Sequence, residues 1–542
     1  MLRLQEIKLP LDHDEGALKQ AVLARLNIRP EELLQFHVVR QAVDARKKGA
    51  VHLVYSVDAT VKNEAPILRR RKTPAIVPTP DVSYPDLSPG REKLERPPVV
   101  VGSGPAGLFA ALLLARHGYR PLVLERGKPV DERYLDVELF WSAGQLAGDS
   151  NLHFGEGGAG TFSDGKLTTL IHDPRCRKVL EEFVAAGAPA DILFLNKPHL
   201  GSDRLPAIIR RIRQTIIELG GEVRFRSRVR DLLLKHQKMA AVAVAGQGSL
   251  EAPAVILAPG NSARDTFAML MERGVTLQAK PFSIGVRIEH PQPLIDRAQY
   301  GAFAGHPRLG AADYKMFFHA PNGRSAYTFC MCPGGLVVAA ATEDNGVATN
   351  GMSLYARDGA NANSALLVGV TPADFGSDHP LAGVEFQRIW ERKAFVLGGG
   401  NYFAPLQLAG DFLADHGRLL GGLSNRPSPA LGKIEPSYRP GWRFACLADC
   451  LPDYVSETLR QALPFFAKRL PGFDRPDAVL TGIESRSSSP LRIVRNDAFE
   501  SNISGLYPAG EGAGYAGGIM SSAVDGLRAA EAIIRKYALP SS

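Results

Sequence analysis

The stretch from Pro98 to Leu112 constrains the fold of this chain more than any other feature. Its apolar, β-branched start predicts a buried parallel strand, and a helical pattern begins directly after a Gly-x-Gly-x-x-Gly sequence. Gly102 permits a tight turn, Gly104 lets backbone N–H groups approach a pyrophosphate, and Gly107 lets the helix pack against the strand. The helix N-terminus directs its partial positive charge to the same place. The pattern therefore predicts a dinucleotide-binding domain.

A second strand and an acidic residue follow at the distance that this interpretation requires. Residues 120–124 predict a strand that ends at Glu125, about 20 residues after the glycines, where a carboxylate accepts hydrogen bonds from an adenosine ribose. The alternative is a glycine-rich turn of another α/β protein with Glu125 on the surface, but strand, turn, helix, strand and acid occur in the required order. The candidate cofactor residues here are Ser103, Pro105, Ala106, Glu125 and Arg126, together with the three glycines.

Length and composition are those of a globular protein with several domains. The chain has 542 residues, of which 45% are hydrophobic and 22% charged, and this length predicts about two to four domains. The apolar stretch 99–115 is interrupted by Gly and Pro and is too short for a membrane span. Residues 1–6 lack the apolar core of a secretory signal. We therefore expect a cytoplasmic protein without a membrane span.

Charge and cysteine content leave the partner open. The net charge of +8 permits an anionic substrate or a nucleic acid without requiring either. Five cysteines in so long a chain do not form a disulfide scaffold. Cys446 and Cys450 are spaced like one turn of a helix, and without a second pair of ligands this spacing favours packing over a metal site. No metal site is predicted.

The pattern along the chain divides it into five segments. Residues 1–62 predict a small β-α-β-β domain of ferredoxin-like type, in which 34–45 and 51–60 pair as a hairpin. Residues 63–96 are rich in proline and charge and predict an extended linker with a basic run at 69–72. The remaining segments are the first part of a dinucleotide-binding domain (97–274), a mixed α+β substrate or cap domain (275–478) and the C-terminal part of the dinucleotide-binding domain (479–542).

A glycine-rich end of the chain predicts a second contact with the dinucleotide. Residues 503–511 predict a strand that ends in Gly510-Glu511, followed by a loop that includes Gly517 and Gly518 and by a helix that starts at Ile519. The N-terminus of that helix places a positive dipole where negative charge grows on a reduced cofactor ring.

Two other segments are expected to contribute to the same site. A glycine-rich segment after the second strand carries Gly157, Gly158 and Gly160. Residues 254–258 predict an apolar strand that ends in Pro259-Gly260, preceded by a short meander. The candidate cofactor residues in this part of the chain are Val229, Ala258, Pro259, Gly260 and Arg264.

These motifs together resemble a bacterial family described as uncharacterised FAD-dependent dehydrogenases. The resemblance is carried by residues 257–265, 285–292, 327–335, 350–353 and 507–518. It implies an α/β fold with a Rossmann-like FAD-binding domain of the glutathione-reductase type, FAD as cofactor and an added N-terminal domain. In that type the late strand ends in Gly-Asp, whose acid binds the ribityl hydroxyls, and Glu511 stands at that position. The resemblance does not supply a substrate.

The predicted reaction is a hydride transfer between flavin N5 and a small organic substrate. Residues 275–478 contain no second Gly-x-Gly-x-x-Gly after a strand, so NAD(P)H is expected to bind only transiently. Arg486 is a candidate for holding a carboxylate, Glu343 and His290 for proton transfer, and Lys166 for favouring reduced flavin by its charge. Structural ion pairs or caps are the alternative for each. Substrate, direction of electron flow, choice of NADH or NADPH and oligomeric state stay open.

Two functions from other classes also fit the sequence. The basic balance and the extra domain fit a tRNA-modifying flavoprotein, although the chain lacks a long basic arm and an aromatic stacking surface, so a nucleic acid is not the expected partner. Cys330 and Cys332 lie on one face of a predicted strand and would relay electrons in a redox-sensing flavoprotein that does not turn over. Ordinary buried cysteines are the alternative for this pair.

Overall fold

The computed structural model describes residues 1–69, 75–414 and 431–540. The N-terminal unit is one antiparallel sheet covered by a helix, because Leu18, Val22 and Leu26 form an apolar helix face that packs on the sheet. Its sheet has the strand order β2-β3-β1-β4. The elements are β1 (Leu2–Pro10), α1 (Ala17–Leu26), β2 (Leu33–Asp44), β3 (His52–Val61), α2 (Ala65–Arg69) and β4 (Ile76–Pro78).

The predicted hairpin of this unit is confirmed, because β2 pairs antiparallel with β3. The first part of the predicted linker differs from the structure. It contains the short helix α2, and β4 pairs antiparallel with β1 as a fourth strand of the sheet. The basic residues Arg70, Arg71 and Lys72 lie outside the described residues.

The next elements form the larger part of an α/β unit. They are β5 (Val99–Val101), α3 (Pro105–Arg116), β6 (Leu122–Leu124), α4 (Val130–Ala143), α5 (Arg175–Ala185), α6 (Gly201–Glu218), β7 (Glu222–Arg224), β8 (Val229–Lys235), β9 (Lys238–Val244), β10 (Gly248–Glu251), β11 (Val255–Leu257) and α7 (Arg264–Glu272).

The middle of the chain is dominated by long strands. Its elements are β12 (Leu277–Ala279), β13 (Phe282–Pro291), α8 (Gln292–Tyr300), β14 (Phe317–His319), β15 (Ser325–Cys332), β16 (Gly335–Ala339), β17 (Thr349–Ser353), β18 (Asn361–Val370), α9 (Ala382–Gly398), β19 (Ala404–Leu408), α10 (Ala409–Ala414), β20 (Trp442–Phe444), α11 (Asp453–Ala467) and β21 (Val479–Glu484). The chain then runs through β22 (Leu491–Ile493), β23 (Leu506–Pro508) and α12 (Ile519–Lys536).

A five-stranded parallel sheet brings the two glycine-rich ends of the chain together. Its order is β23-β11-β5-β6-β7, so the last strand of the chain joins the sheet beside β11. Helix α3 packs against α12, since Leu108 and Leu112 share one buried cluster with Ala523 and Leu527. The carboxyl ends of parallel strands meet at one edge of a sheet, and that edge is where ligands bind in α/β folds.

A seven-stranded mixed sheet forms the second large unit, in the order β14-β15-β18-β13-β21-β19-β20. One face is covered by α11, because Val286 and Ile288 of β13 share a buried cluster with Leu459 and Phe466. The other face carries polar residues, among them Arg287, which alternates with these two along the strand.

The expectation that Cys330 and Cys332 share one strand face is wrong. Strand β15 has a bulge between Phe329 and Cys332, and Cys330 adopts a φ of +44°. An extra residue in one strand breaks the two-residue alternation of side chains. Cys330 is therefore exposed, whereas Cys332 is buried.

Candidate functional site

The turn at 102–107 has the backbone geometry that its glycines predicted. Gly102 has a φ of +97°, and a Cβ built on it would lie 2.2 Å from the carbonyl oxygen of Ala258. A Cβ on Gly107 would lie 1.9 Å from the carbonyl oxygen of Gly102. Only glycine fits either position, because real Cβ atoms do not approach backbone oxygens so closely. Helix α3 thus starts directly beside the ends of β5 and β11.

The glycine-rich segment 155–160 closes over this turn. The N–H of Gly157 donates to the carbonyl oxygen of Ser103 over 2.9 Å. A Cβ on Gly158 would lie 3.0 Å from the Cα of Gly104, so the two backbones run side by side. A Cβ on Gly160 would lie 3.0 Å from Cγ1 of Ile519 at the start of α12.

The two remaining segments reach the same place from the other side. A Cβ on Gly510 would lie 2.7 Å from the Cβ of Ala106, and a Cβ on Gly512 would lie 2.4 Å from the carbonyl oxygen of Gly260. The structure therefore brings four glycine-rich segments together around the N-termini of α3 and α12. We call this group the glycine cradle; its members are residues 102–107, 155–160, 258–260 and 510–519.

Glu125 ties the cradle to the second strand of the parallel sheet. Its carboxylate is buried and accepts hydrogen bonds from the N–H and Oγ of Ser103 at 2.8 and 2.7 Å. It also accepts the N–H groups of Gly127 and Gly155 at 2.9 and 3.0 Å. A contact with a ribose stays a prediction, but the carboxylate lies at the sheet edge where the ribose is expected.

Arg126 and Val229 lie next to Glu125. The Arg126 guanidinium stacks on the Phe154 ring at 4.4 Å and pairs with Asp265 at 2.9 Å. Val229 opens β8, and Ser227 just before it donates its N–H to the carbonyl oxygen of Glu125 over 2.8 Å. The structure thus brings these predicted cofactor residues together at one end of the cradle.

A buried cluster of arginines and glutamates lies between the two large units. Arg264 and Arg486 both bind Glu391, with nearest N–O distances of 2.8 and 2.9 Å, and Arg264 also pairs with Glu343 at 2.6 Å. Arg388 binds the other side of Glu343 at 2.6 Å. This arginine–glutamate cluster connects α7 and the Glu484–Pro490 segment to α9, and a cavity of about 330 Å³ opens beside it.

Comparisons with known proteins identify the relatives of the chain. Residues 281–487 match a family described as "FAD-dependent protein, C-terminal domain-like", residues 100–130 match an NAD(P)-binding Rossmann-like domain, and residues 1–60 match a domain of unknown function. An uncharacterized protein of Clostridium beijerinckii is 48% identical over 547 residues, covering 99% of each chain. The chain belongs to the same family as this clostridial protein. It carries the FAD-dependent domain, and FAD is its cofactor.

Solved structures give weaker likenesses. Glycine oxidase from Bacillus cereus is 10% identical, covering 81% of this chain and 97% of that one with a TM-score of 0.30. CtdE in complex with FAD is 11% identical, covering 80% and 83% of the two chains with a TM-score of 0.29. These TM-scores are too low to support a closer assignment. The family supports the general description of this FAD-dependent protein as a flavin oxidoreductase.

The residues of the glycine cradle fit the cofactor of this FAD-dependent protein. No side chain caps the N-terminus of α3 or of α12, so their first backbone N–H groups are available to an anion. Gly104 and Gly158 carry no side chain between these N–H groups and the opening of the cradle. A pyrophosphate needs such an approach of bare backbone, and a contact of Glu125 with a ribose stays a prediction.

Glu511 lies at the other end of the cradle, before the start of α12. Burial raises the pKa of its carboxyl to about 7, although a hydrogen bond from the Gly518 N–H opposes the rise. Asn261 donates from Nδ2 to Glu511 Oε1 over 2.8 Å. A ribityl contact, as the Gly-Asp resemblance implies, stays a prediction.

Among the predicted catalytic residues, Arg486 and Glu343 are brought together in the arginine–glutamate cluster. Although burial opposes it, ion pairing with Arg388 and Arg264 lowers the pKa of Glu343 to about 2. A carboxyl this acidic is ionised at neutral pH, which disfavours the predicted proton transfer. Arg486 donates to Glu391 and to Ser262 Oγ at 3.2 Å, so its guanidinium already holds a carboxylate of the protein itself.

His290 is not placed beside the cradle. It shares the α11-covered face of β13 with Ile288, its Nε2 lies 2.7 Å from the Phe473 carbonyl oxygen, and burial lowers its pKa to about 4. The predicted proton transfer by His290 is therefore corrected to a packing role, because alternation along β13 points it into the core. The Arg264 guanidinium, at the start of α7, pairs with Glu391, and its predicted cofactor contact stays a prediction.

Lys166 lies beyond the cradle and beside the bulge of β15. Its Nζ donates to the Met331 carbonyl oxygen and lies 3.7 Å from Asp164 Oδ2. The two cysteines of the predicted relay therefore lie next to the lysine that was predicted to act on the flavin.

Sequence reasoning missed a buried pair on the polar face of the seven-stranded sheet. Arg287 binds Glu484 with Nε–Oε2 at 2.7 Å and also donates to the carbonyl oxygen of Cys330 and to Oδ1 of Asn363. The signal was present, because Arg287 and Glu289 alternate with Val286 and Ile288. That alternation separates a polar face from a core face.

Within the described residues, no helix is long and apolar enough to cross a bilayer. No group of three potential ligands among the His, Cys, Asp and Glu side chains in ranges 1–69, 75–414 and 431–540 is arranged to hold a metal ion.

Proposed function

We propose that this protein is an FAD-dependent oxidoreductase that moves a hydride between flavin N5 and a small organic substrate. The observation that supports it is the convergence of four separate glycine-rich segments on the N-termini of α3 and α12. One glycine turn occurs in many folds, but four that leave backbone N–H groups bare at the edge of a parallel sheet suit an extended dinucleotide. Bound FAD supplies two-electron chemistry that amino-acid side chains do not provide.

The chain's own residues hold the two ends of the dinucleotide in this proposal. Glu125 accepts hydrogen bonds at the adenosine end, and Glu511 lies at the ribityl end. The N-terminus of α12 adds a fixed positive dipole that favours negative charge on the reduced ring. The glutathione-reductase type of FAD-binding domain belongs to the same proposal, with residues 97–274 and 479–542 as its two parts.

The seven-stranded sheet supplies a place for the substrate. A cavity of about 570 Å³ opens at one end of β13, β15 and β18, which suits a small molecule. Hydroxyl groups line it, and Tyr327 donates to Ser283 Oγ over 2.6 Å. Residues 275–478 are therefore proposed as the substrate domain. NAD(P)H, if it donates, binds transiently at the same domain.

Anaerobic reduction of the flavin tests the proposal. The purified protein is expected to be yellow, and NADH, NADPH or a member of a metabolite panel is expected to bleach it. Bleaching by a nicotinamide identifies a reductase, and bleaching by a metabolite alone identifies a dehydrogenase. A protein that stays colourless when offered FAD overturns the proposal.

Two valine variants give a matched control for the cradle. Gly104→Val places a branched side chain against Gly158 and is expected to abolish FAD retention. Gly49→Val carries the same change at a glycine with no atom within 4 Å of its added Cβ and is expected to retain FAD. Equal retention in the two variants places the dinucleotide elsewhere.

A further inference from the structure

The bulge in β15 gives Cys330 a special position. Between Phe329 and Cys332 the strand advances by three residues, while its partner β18 advances by two, from Ala365 to Asn363. Cys330 takes a φ of +44°, a left-handed conformation that is costly for a residue with a side chain. Bulges re-aim side chains and occur often beside active sites. Here the result is that Cys330 is exposed near the end of β15, whereas Met331 and Cys332, which follow it, are buried.

Two cations hold this strained segment. Arg287 donates from Nη1 to the Cys330 carbonyl oxygen over 3.0 Å, and Lys166 donates from Nζ to the next carbonyl oxygen, that of Met331. Arg287 is fully buried and is itself fixed by Glu484. Strain that two charged groups maintain at adjacent carbonyls is typical of a functional segment.

The second thiol lies next to the first. Cys332 Sγ lies 3.2 Å from the Cys330 carbonyl oxygen, and both cysteines are free. Residues two apart in a strand are separated by about 6.6 Å between Cα atoms. A disulfide bridges Cα atoms up to about 6.8 Å apart, and because the bulge turns Cys330 away from the face of Cys332, the Cys330 side chain must rotate toward Cys332 before the two sulfurs can bond.

Lys166 links the bulge to the chain segment that forms part of the cradle. Lys166 follows the glycine-rich segment 155–160. A Cβ added to Gly158 would lie 3.0 Å from Gly104 Cα, and a Cβ added to Gly160 would lie 3.0 Å from Ile519 Cγ1. The lysine that contacts the bulge thus belongs to the stretch of chain that packs on both helix N-termini. Burial raises the pKa of both thiols, whereas Lys166 and Arg287 oppose that rise.

We propose that Cys330 and Cys332 form a redox-active dithiol that exchanges two electrons with a disulfide-containing substrate. This inference rests on the proposed function, because flavin reduced by NAD(P)H or by the proposed organic substrate would supply the two electrons and two protons that restore the dithiol. The exposed Cys330 is the attacking thiol, and the buried Cys332 is the resolving thiol. Lys166 and Arg287 stabilise the thiolate as it forms.

The exchange balances in two steps. Cys330, as thiolate, attacks one sulfur of the substrate; the substrate S–S bond breaks, one substrate thiolate leaves and takes up the proton lost by Cys330, and a mixed disulfide remains. Cys332 then attacks Cys330 Sγ, the mixed disulfide breaks, and the second substrate thiol leaves with the proton of Cys332. The substrate gains two electrons and two protons, and the cysteine pair loses the same.

Peptide mapping of the holoprotein tests this exchange. Trypsin releases residues 325–357 as one peptide, because no Lys or Arg lies between Arg324 and Arg357, and it contains these two cysteines and no other. After exposure to 2-hydroxyethyl disulfide and alkylation with iodoacetamide, this peptide is expected to carry an internal disulfide and no alkyl group. Cys332→Ser is expected to accumulate the mixed disulfide on Cys330. A wild-type peptide with two alkylated cysteines overturns the proposal.

Anaerobic dithionite titration of the oxidised holoprotein gives a second measurement. Wild type and the control Cys176→Ser are expected to take up four electrons per FAD, twice the uptake of Cys330→Ser or Cys332→Ser. An uptake of two electrons by wild type overturns the dithiol while leaving the flavin function intact. If the wild-type protein binds no FAD, the proposed function fails instead. The peptide masses then still decide whether the thiol exchange occurs.

Discussion

Asn261 holds Glu511 by a hydrogen bond of 2.8 Å from its Nδ2 to the carboxyl Oε1, and so joins the end of β11 to the loop before α12. The two residues follow adjacent parallel strands, and each lies directly after a cradle glycine. A carboxyl group in this position senses both the helix terminus and any ring that binds there.

Glu511→Gln is expected to stabilise the apoprotein at pH 8 and to leave it nearly unchanged at pH 4. Burial raises the folded-state pKa of the Glu511 carboxyl from its ordinary value of 4.5 to about 7, so the folded state binds the proton more tightly than the unfolded state. Stability from this group is complete below about pH 4.5 and is lost as pH rises to about 7. The neutral amide avoids that loss, which is about 1–3 kcal/mol. Urea unfolding at the two pH values measures it.

The exposed Glu272→Gln is the control for this experiment, and it is expected to change stability equally little at both pH values. If the unfolding free energy of Glu511→Gln changes with pH in the same way as that of wild type, the Glu511 carboxyl is ionised at both pH values.

Glu125→Gln is expected to weaken both folding and FAD binding, although it preserves the side-chain shape. The carboxylate accepts from two N–H groups on one side of the turn and from Ser103 on the other. An amide NH₂ in place of one oxygen faces donors and leaves them unpaired, at a cost of about 2–4 kcal/mol. The urea midpoint of the apoprotein and the FAD dissociation constant both report the effect. Glu222→Gln, at the exposed end of β7, is expected to change neither the urea midpoint nor the FAD dissociation constant.

Glu391→Gln is expected to destabilise the protein more than Glu343→Gln. Glu391 is buried and neutralises both Arg264 and Arg486, so its removal leaves two buried guanidinium groups without their main partner. Breaking such a buried pair costs about 3–5 kcal/mol. Glu343 is a third exposed, and water screens the charges that it leaves behind. Thermal unfolding of the two variants compares the effects directly, and equal shifts would argue against a buried arginine–glutamate cluster.

The cradle was predictable because its signals are local. Gly102, Gly104 and Gly107 stand at fixed offsets between a strand and a helix, and Glu125 follows at a fixed distance. Backbone geometry of this kind depends on residues close in sequence. The same is true of Gly510 and Ile519, whose strand–loop–helix pattern is continuous.

The arginine–glutamate cluster was not predictable in the same way. Arg264, Glu391 and Arg486 are far apart in the chain, and single charged residues carry no signal of their eventual partner. The bulge at Cys330 was hidden for a related reason, since the pattern of β15 shows ordinary alternation and the extra residue emerges only in the register with β18. His290 was misjudged by residue type, although its alternation with Ile288 indicated burial.

Lys166→Met is expected to slow alkylation of Cys330, measured in a Cys332→Ser background so that one thiol is counted in the 325–357 peptide. The lysine cation lowers the pKa of this thiol against the rise that burial causes, so its removal raises the pKa and decreases the thiolate fraction at any given pH. We expect about a 3–10-fold slower reaction with iodoacetamide below the pKa. Lys166→Arg keeps both the charge and a donor for the Met331 carbonyl oxygen, and it is expected to restore most of the rate. The exposed Lys315→Met is the control and is expected to react as the parent does. Identical rates in the methionine and arginine variants would show that Lys166 acts on the bulge by contact alone, and its role toward the thiolate would then be wrong.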